Sequence, residues 1–219
     1  MTEAERKQII DLVQREVVPA IGCTEPIAVA LCVAKATETL GTRPEKINVL
    51  LSANILKNAM GVGIPGTGMI GLPIAIALGA LVGKSEYQLE VLKDSTPEAV
   101  EAGKKMIEAQ AIQISLKENI EEKLYIEVTC MAGEEKATAI ISGGHTNFVY
   151  LSKNDSVLMD KRSGTSGETE EESVELNLKK VYDFATTSPI EELQFILEAR
   201  RLNKQAAERS FKGNYGHCL

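Results

Sequence analysis

The sequence has no tryptophan, only two histidines and only four cysteines among its 219 residues, and aromatic residues make up 4% of it. Four cysteines are too few for the disulfide framework of a small secreted protein. No run of Lys or Arg exceeds two residues, and 31 acidic against 24 basic residues give a net charge of −7. We therefore predict no nucleic-acid partner and no membrane partner, because both need clustered positive charge.

A recognisable targeting segment is also lacking. The first ten residues, MTEAERKQII, are charged from residue 3 onward and contain no apolar core of a signal peptide. The uncharged stretch 58–83 holds seven glycines and two prolines, and its continuous apolar part, 69–82, is 14 residues long. That length suits a buried helix better than a membrane span. We expect a cytoplasmic protein with reduced thiols.

Apolar residues make up 44% of the chain and charged residues 25%, which is typical of a globular protein. Helical spacing and start signals predict four helices in the first half of the chain: one near the N-terminus, one over about 25–40, one from Pro73 and one from Pro97 to about 109. Two more helices are predicted near the C-terminus. The first has an apolar face of Val174, Leu178, Val181 and Ala185, and the second runs from Ser188 to about 211. Strand candidates lie at 46–52, 112–116, 123–131, 136–141 and 147–151, with a hairpin turn at 131–134.

Consecutive strands with tight turns pair antiparallel. The order of elements therefore predicts an α+β fold, an antiparallel β-sheet flanked by N- and C-terminal helices. We expect a single domain over 1–219. The Ser-, Gly-, Thr-, Lys- and Glu-rich segment 152–172 is predicted to be a flexible surface loop.

Cys23 is the most informative residue for chemistry. It directly precedes a helix, in the segment Gly22-Cys23-Thr24-Glu25-Pro26. Free N–H groups and the positive end of the helix dipole favour a thiolate there, which lowers a cysteine pKa and predicts a nucleophile or a metal ligand. The alternative is a cysteine that packs under a turn, which composition alone favours.

The other three cysteines give weaker indications of chemistry. Cys32 lies in an apolar helix and Cys130 on an apolar strand face, so we predict core packing for both. Cys218 is the penultimate residue and has no readable context. The sequence contains no CxxC, HxxH or HExxH motif, which argues against a self-contained zinc site.

A glycine-rich loop spans 61–71. Gly61, Gly63 and Gly66 have the spacing of a dinucleotide fingerprint, but the preceding strand ends several residues earlier and Pro65 interrupts the motif. Two interpretations stay open for this loop: a backbone that approaches a small ligand, or close packing of helices.

Two polar pairs accompany the loop in the sequence. Lys57 and Asn58 immediately precede it and can hold a carboxylate, although a solvated helix end is the commoner case. His145 and Asn147 belong to a Gly-Gly-His-Thr-Asn turn between two strands. A histidine there can act as a base or orient a ligand, and a surface turn histidine is the alternative.

These segments together resemble one family. The segment GCTEPIAVA at 22–30 is similar to the N-terminal signature of the L-serine dehydratase alpha-chain-like proteins. The order of four further segments resembles the branch of that family that contains L-cysteine desulfidases. These segments are Lys57-Asn58, Gly63-Ile64-Pro65-Gly66, His145-Thr146-Asn147 and Gly213-Asn214-Tyr215-Gly216-His217. The resemblance covers essentially the whole chain.

The resemblance implies an iron–sulfur lyase. Three cysteines would hold a 4Fe-4S cluster whose open iron acts as a Lewis acid in β-elimination on a small L-amino acid, L-cysteine or L-serine, to give pyruvate and ammonia, and sulfide from cysteine. It implies Cys23 as a cluster ligand and His145 and Lys57 as catalytic residues. The substrate-binding residues that it implies are Asn58, Gly61, Gly63, Gly66, Thr67 and Asn147.

The sequence departs from that family in its length. Members of the family are about twice as long and carry their other cluster cysteines in the C-terminal half. We therefore expect an N-terminal part that needs a missing C-terminal half, lacks the cluster and is inactive alone. Assembly into a homo-oligomer is compatible with the sequence. The alternative function is a metal-free small-molecule (amino-acid) binding or regulatory domain that uses the glycine loop and His145.

Overall fold

The computed structural model describes residues 1–162 and 175–213. The described chain divides into two compact units. The larger unit runs from Ala20 to residue 162, and the smaller one joins Met1–Pro19 to residues 175–213. The single domain expected over 1–219 remains a prediction.

The chain begins and ends with helices, and five consecutive strands precede the last two. The helices are α1 (Glu3–Glu16), α2 (Thr24–Leu40), α3 (Ala53–Ala59), α4 (Leu72–Leu81), α5 (Pro97–Glu108), α6 (Leu178–Thr187) and α7 (Ile196–Phe211). The strands are β1 (Lys46–Leu51), β2 (Gly63–Ile64), β3 (Met69–Ile70), β4 (Ile112–Leu116), β5 (Tyr125–Ala132), β6 (Glu135–Ser142), β7 (Phe148–Lys153) and β8 (Ser156–Asp160). Short 3₁₀ segments lie at Ser85–Glu90 and Ile190–Leu193.

Several helix boundaries confirm the sequence signals. Thr2 and Glu5 form the capping box of α1. Pro73 lies in the first turn of α4 and Pro97 opens α5, positions at which the missing N–H costs nothing. Gly41 ends α2 with φ of +84°, a left-handed conformation that glycine adopts without strain.

Six strands form one sheet in the order β4-β1-β5-β6-β7-β8. Neighbouring strands are antiparallel except β1 and β4, which run parallel with Ile47 opposite Ile112. The α+β class is therefore confirmed, but the expectation of an antiparallel sheet is wrong for one pair. A long helical connection returns β4 to the free edge of β1 in the same direction, and such a crossover is what parallel strands require.

The segment 152–172, predicted as a flexible surface loop, begins with regular β-structure. Strand β7 continues to Lys153, and β8 follows at Ser156–Asp160. The turn between them places Asn154 at φ of +51°, which asparagine tolerates better than most residues. The loop prediction is wrong for this first part, and residues 163–172 lie outside the described residues.

The core lies on one face of the sheet. Helix α2 packs on β5 and β6, and α4 packs between α2 and α5. Every residue from Ile27 to Ala34 is fully buried, as its almost unbroken apolar sequence predicts. A Cβ atom on Gly79 would lie 2.6 Å from the carbonyl oxygen of Ala30, so glycine permits the close approach of α4 to α2.

The apolar stretch 69–82 forms the short buried helix α4, as its length predicts. Within residues 1–162 and 175–213, the longest apolar helices fall short of what a bilayer crossing requires. A cytoplasmic location remains a prediction.

The smaller unit is helical and poor in buried residues. Among its described residues only Ile9 and Phe184 are buried. The predicted apolar stripe on α6 is exposed at Leu178, Val181 and Ala185, while Val174 lies outside the described residues. The last predicted helix is interrupted, because a 3₁₀ turn at Ile190–Leu193 precedes α7.

Candidate ligand-binding site

The N-terminus of α2 is the exposed end of an otherwise buried helix. Cys23 is its N-cap residue, with φ of −60° and ψ of 132°, and its side chain is exposed. The thiol makes no capping hydrogen bond to the first turn of the helix. The N–H groups of that turn therefore lack a side-chain acceptor from the N-cap position.

Glu25 connects the sequence-predicted site residues. Its Oε2 accepts a hydrogen bond from Sγ of Cys23 at 3.1 Å, and its Oε1 accepts one from Nδ2 of Asn58 at 3.4 Å. Thr24 Oγ1 also donates to Oε2, at 3.3 Å. One carboxylate thus joins the start of α2 to the end of α3, which lie 33 residues apart in sequence.

This hydrogen bonding changes the pKa values of both ionisable partners. Burial raises the pKa of the Cys23 thiol, and its hydrogen bond to Glu25 raises it further. The same bond is the main cause that lowers the pKa of the Glu25 carboxyl. The sequence predicted a lowered Cys23 pKa, and this is wrong because burial and the adjacent carboxylate outweigh the helix N-terminus.

The glycine-rich loop forms a small hairpin of β2 and β3 that reaches the same place. A Cβ atom on Gly22 would lie 3.0 Å from Cγ of Pro65, so the hairpin touches the turn that precedes α2. Gly66 and Gly68 have φ of +77° and +65°, and a Cβ on either would meet no atom within 4 Å. The turn conformation requires these glycines, and their outer side is open.

Gly61 and Gly63 also have open space beside them, since an added Cβ on either would meet nothing within 4 Å. Close packing is found instead at Gly71, whose Cβ would lie 2.9 Å from the carbonyl oxygen of Met60. The close-packing interpretation therefore holds at Gly71, and the ligand-binding interpretation of the loop remains a prediction. Thr67 holds the hairpin itself, because its Oγ1 donates to Ile64 O at 2.7 Å and accepts from Met69 N at 2.9 Å.

Helix α3 positions the two polar residues that precede the loop. It starts from Ser52, a buried residue whose Oγ donates to the carbonyl oxygen of Lys123 at 2.8 Å. Consecutive helical residues point about 100° apart, so Asn58 meets Glu25 while Lys57 is exposed on another side.

The turn that carries His145 lies at the end of the sheet to which the N-terminus of α2 points. At the C-terminal end of α2, Leu40 O accepts a hydrogen bond from Lys153 Nζ at 2.8 Å. The N-terminal end of α2 therefore points to the opposite end of the sheet, where Ile141 pairs with Phe148 around the turn. His145 is half-buried in this turn.

Within the described part of the chain, no hydrogen bond connects His145 to Cys23, Lys57 or Asn58. Asn147 closes the β6–β7 turn, because its Nδ2 donates to Ser142 O at 2.9 Å and its N–H to Gly144 O at 3.2 Å. The structure thus brings Cys23, Asn58 and the hairpin together and leaves His145 and Asn147 in a separate turn.

The described thiols do not fit an iron–sulfur cluster. Cys32 is fully buried with Sγ 3.3 Å from Ala139 O, and Cys130 is fully buried with Sγ 3.5 Å from Oγ1 of Thr37. Core packing is therefore confirmed for both. Residues 1–162 and 175–213 contain no group of three His, Cys, Asp or Glu side chains placed to share a metal ion. Cys218 lies outside the described residues.

Comparison with known proteins finds relatives along the whole chain. The chain is 75% identical over all of its residues to a UPF0597 protein of Bacteroides fragilis and 72% identical to one of Phocaeicola vulgatus, and it covers 51% of each. It is 42% identical over 94% of its residues to a UPF0597 protein of Photobacterium profundum, of which it covers 49%. The chain thus spans about half the length of the curated relatives that it matches.

No family model and no solved structure matches the chain. The name that these relatives carry states no activity. They are not named as serine dehydratases or cysteine desulfidases, so the family assignment made from the sequence is wrong. The iron–sulfur lyase activity inferred from that assignment is wrong as well, and the described residues supply no set of metal ligands for it.

Glu25, the acceptor that joins the site, was not predicted as a site residue from the sequence. Its position in the first turn of α2, two residues after Cys23, could have indicated this role. The helix dipole favours an acidic side chain there, and such a side chain can reach the N-cap residue.

Proposed function

We propose that the larger unit binds a small α-amino acid between the N-terminus of α2 and the β2–β3 hairpin, as a binding or regulatory domain. The observation that carries this proposal is the position of the Glu25 carboxylate. It is held by Cys23 and Asn58 at the point where Pro65 of the hairpin meets Gly22.

The carboxylate of Glu25 supplies recognition of an ammonium group. Its lowered pKa keeps it ionised at neutral pH. An ionised carboxylate has about four lone-pair sites. The present donors, at 3.1, 3.3 and 3.4 Å, are all neutral, so each bond is weaker than one in which an ammonium group also carries a charge. An incoming ammonium can therefore join or displace them at a gain in free energy.

Backbone N–H groups supply recognition of a carboxylate. The first turn of α2 receives no acceptor from its N-cap side chain, and the positive end of the helix dipole favours an anion there. Gly66 and Gly68 leave the hairpin backbone open to close approach. An amino acid carries both charges on adjacent carbons, which matches a carboxylate beside a helix N-terminus.

Most of the remaining predicted residues have supporting places in this proposal. Thr67 and Asn147 maintain the hairpin and the β6–β7 turn through the hydrogen bonds given above. Lys57 is exposed on another side of α3 than Asn58 and is given no contact with the ligand in this proposal. His145 lies at the same end of the sheet and is proposed to orient the ligand.

A thermal-shift comparison tests the proposal. Glycine, L-alanine and L-serine are expected to raise the unfolding midpoint, because a ligand that binds only the folded state at a hundredfold excess over its Kd adds about 2.7 kcal/mol. Propionate and ethylamine each lack one of the two charges and serve as matched controls. Equal shifts with propionate and L-alanine would show that the Glu25 carboxylate does not select an amino acid.

A further inference from the structure

A second groove lies in the larger unit, on the face of the sheet against which α2 packs. Helix α2 covers β5 and β6 but leaves most of β7 and β8 uncovered. A cleft of about 320 Å³ remains there, between α2, the 3₁₀ segment at 85–90 and the β7–β8 pair. This volume lies at the small end of the range for ligand pockets and accommodates one amino-acid-sized molecule.

The floor of this groove is apolar. Leu151 and Met159 are paired across β7 and β8, and Phe148 stands beside them at the start of β7. All three side chains are half-buried. A ligand with an apolar body would complete their removal from water, which is worth about 25 cal/mol for each Å² of apolar surface.

The rim of the groove carries one charge of each sign. Lys35 lines it from α2 and Glu86 from the 3₁₀ segment. Glu38, the acidic neighbour of Lys35, is engaged by Ser85, whose N–H and hydroxyl bind its two carboxylate oxygens at 2.6 and 2.5 Å. Lys35 Nζ is left 4.0 Å from Glu38, which is the outer limit of an ion pair.

The backbone at Gln88 is strained where it borders the groove. Gln88 has φ of +50° and ψ of −125°, a conformation that residues with a Cβ seldom adopt. Backbone hydrogen bonds on both sides hold it, from Tyr87 N to Lys84 O and from Val91 N to Gln88 O, each 3.1 Å. Strain of this kind persists where the surrounding structure enforces it, and it is enriched at ligand sites.

We propose that this groove binds a free L-amino acid with a large apolar side chain, such as leucine, methionine or phenylalanine. The ligand carboxylate pairs with Lys35 and the ligand ammonium with Glu86. The apolar side chain lies on Phe148, Leu151 and Met159, and the Gln88 amide closes the rim. Two opposite charges above an apolar floor match a zwitterion and disfavour a simple fatty acid or amine.

The groove is formed by other residues than the site at the start of α2, although the two are joined by a backbone hydrogen bond from Ile21 N to Leu89 O at 3.1 Å. Lys35 lies twelve residues after Cys23 in sequence, which is about 18 Å along a helix at 1.5 Å per residue. Leu151 and Met159 give the groove an apolar floor, so it is proposed to favour a larger apolar side chain than the first site does. Glu25→Gln is therefore expected to leave binding in the groove unchanged.

Isothermal titration with L-leucine tests this inference on the whole chain. Saturable binding is expected, and 4-methylpentanoate and 3-methylbutylamine, which each lack one of the two charges, should bind about tenfold more weakly or worse. Lys35→Gln and Glu86→Gln should each weaken leucine binding about tenfold. Glu108→Gln, an exposed change on α5, is the matched control and should have no effect.

The Gln88→Gly variant tests whether the backbone strain at Gln88 serves ligand binding. Glycine adopts a positive φ without strain, so this variant is expected to unfold at a higher temperature than the wild type and to bind leucine several-fold more weakly. Absence of saturable leucine binding to the wild type would overturn the inference. Leucine binding that survives both Lys35→Gln and Glu86→Gln but is lost in Glu25→Gln would assign the ligand to the other site and would also overturn it.

Discussion

Sγ of Cys23 and Oε2 of Glu25 lie 3.1 Å apart, with the thiol donating to the carboxylate. This bond stabilises the protonated thiol and the ionised carboxyl together, so the two pKa values move in opposite directions. The consequence is a cysteine that is accessible but weakly nucleophilic at neutral pH, and a carboxylate that is ready to accept a cation.

Removal of the Glu25 charge should make Cys23 more reactive. In Glu25→Gln the carboxylate that raises the thiol pKa is gone, so the pKa falls and the thiolate fraction near pH 8 increases. Alkylation of the Cys23 peptide by iodoacetamide, followed by mass spectrometry, should be several-fold faster than in the wild type. Glu108→Gln is the control, and an unchanged or slower rate in Glu25→Gln would refute this account of the Cys23 pKa.

The pH dependence of stability should reveal the buried thiol of Cys130. Burial raises its pKa from 9.0 to about 11 in the folded chain. Its contribution to stability is therefore complete below pH 9 and is lost as the pH rises from 9 to 11, because only the unfolded chain ionises in that interval. Two pKa units correspond to about 2.7 kcal/mol as an order of magnitude.

Urea unfolding of the wild type and Cys130→Ala at pH 8 and pH 10.5 measures this contribution. Cys130→Ala should be less stable at pH 8, because it leaves a cavity, and should lose less stability on going to pH 10.5. Burial also raises the pKa of Cys32, and Cys130 raises it further, so Cys130→Ala also removes that smaller cause of the Cys32 shift. Equal losses in the two proteins would mean that Cys130 does not titrate differently in the folded and unfolded chains.

Close contact between α2 and α4 should make Gly79 intolerant of substitution. The Cβ of Gly79→Ala would lie 2.6 Å from Ala30 O, so the two helices must separate, at a cost of about 1–3 kcal/mol. Gly61→Ala is the matched control, since its Cβ meets no atom within 4 Å. The difference in unfolding free energy in urea should therefore be large for Gly79→Ala and within about 0.5 kcal/mol for Gly61→Ala.

The junction between β1 and α3 should depend on Ser52. Its buried hydroxyl donates to Lys123 O and accepts from Tyr125 N, at 2.8 and 3.3 Å. Ser52→Ala leaves both backbone groups without this partner and should cost about 1–3 kcal/mol in urea unfolding. Ser156→Ala, on the exposed edge strand β8, should be nearly neutral, and similar losses for the two would show that the Ser52 bonds contribute nothing specific.

Local sequence signals predicted most elements of the larger unit. The apolar run of α2, the prolines that open α4 and α5, and the alternation in β5 and β6 are each encoded within a few residues. The partner of β4 could not be predicted in this way. Its pairing with β1 depends on how the helices between them pack, which no local pattern records.

Strand β8 was missed for a different reason. As an edge strand it exposes Val157 and Leu158 and is followed by charged residues, so its composition resembles a loop. The turn at Asn154-Asp155 between two β-branched or apolar segments was a usable hairpin signal.

The candidate site was predictable in part. Only the family resemblance implied one site for Cys23, Asn58 and the glycine loop, and the structure joins them through Glu25 and Pro65. The direction of the Cys23 pKa shift was not predictable, because it depends on burial and on a side-chain rotamer of Glu25 rather than on helix position. The roles of Lys57, His145 and Asn147 remain predictions.

Isothermal titration of L-alanine into the wild type and Glu25→Gln tests the proposed function most directly. The account predicts saturable binding to the wild type, loss of about tenfold or more in affinity in Glu25→Gln, and no change in the Glu108→Gln control. Equal affinity of L-alanine for the wild type and Glu25→Gln, or no saturable binding to the wild type, would contradict a binding site organised by the Glu25 carboxylate.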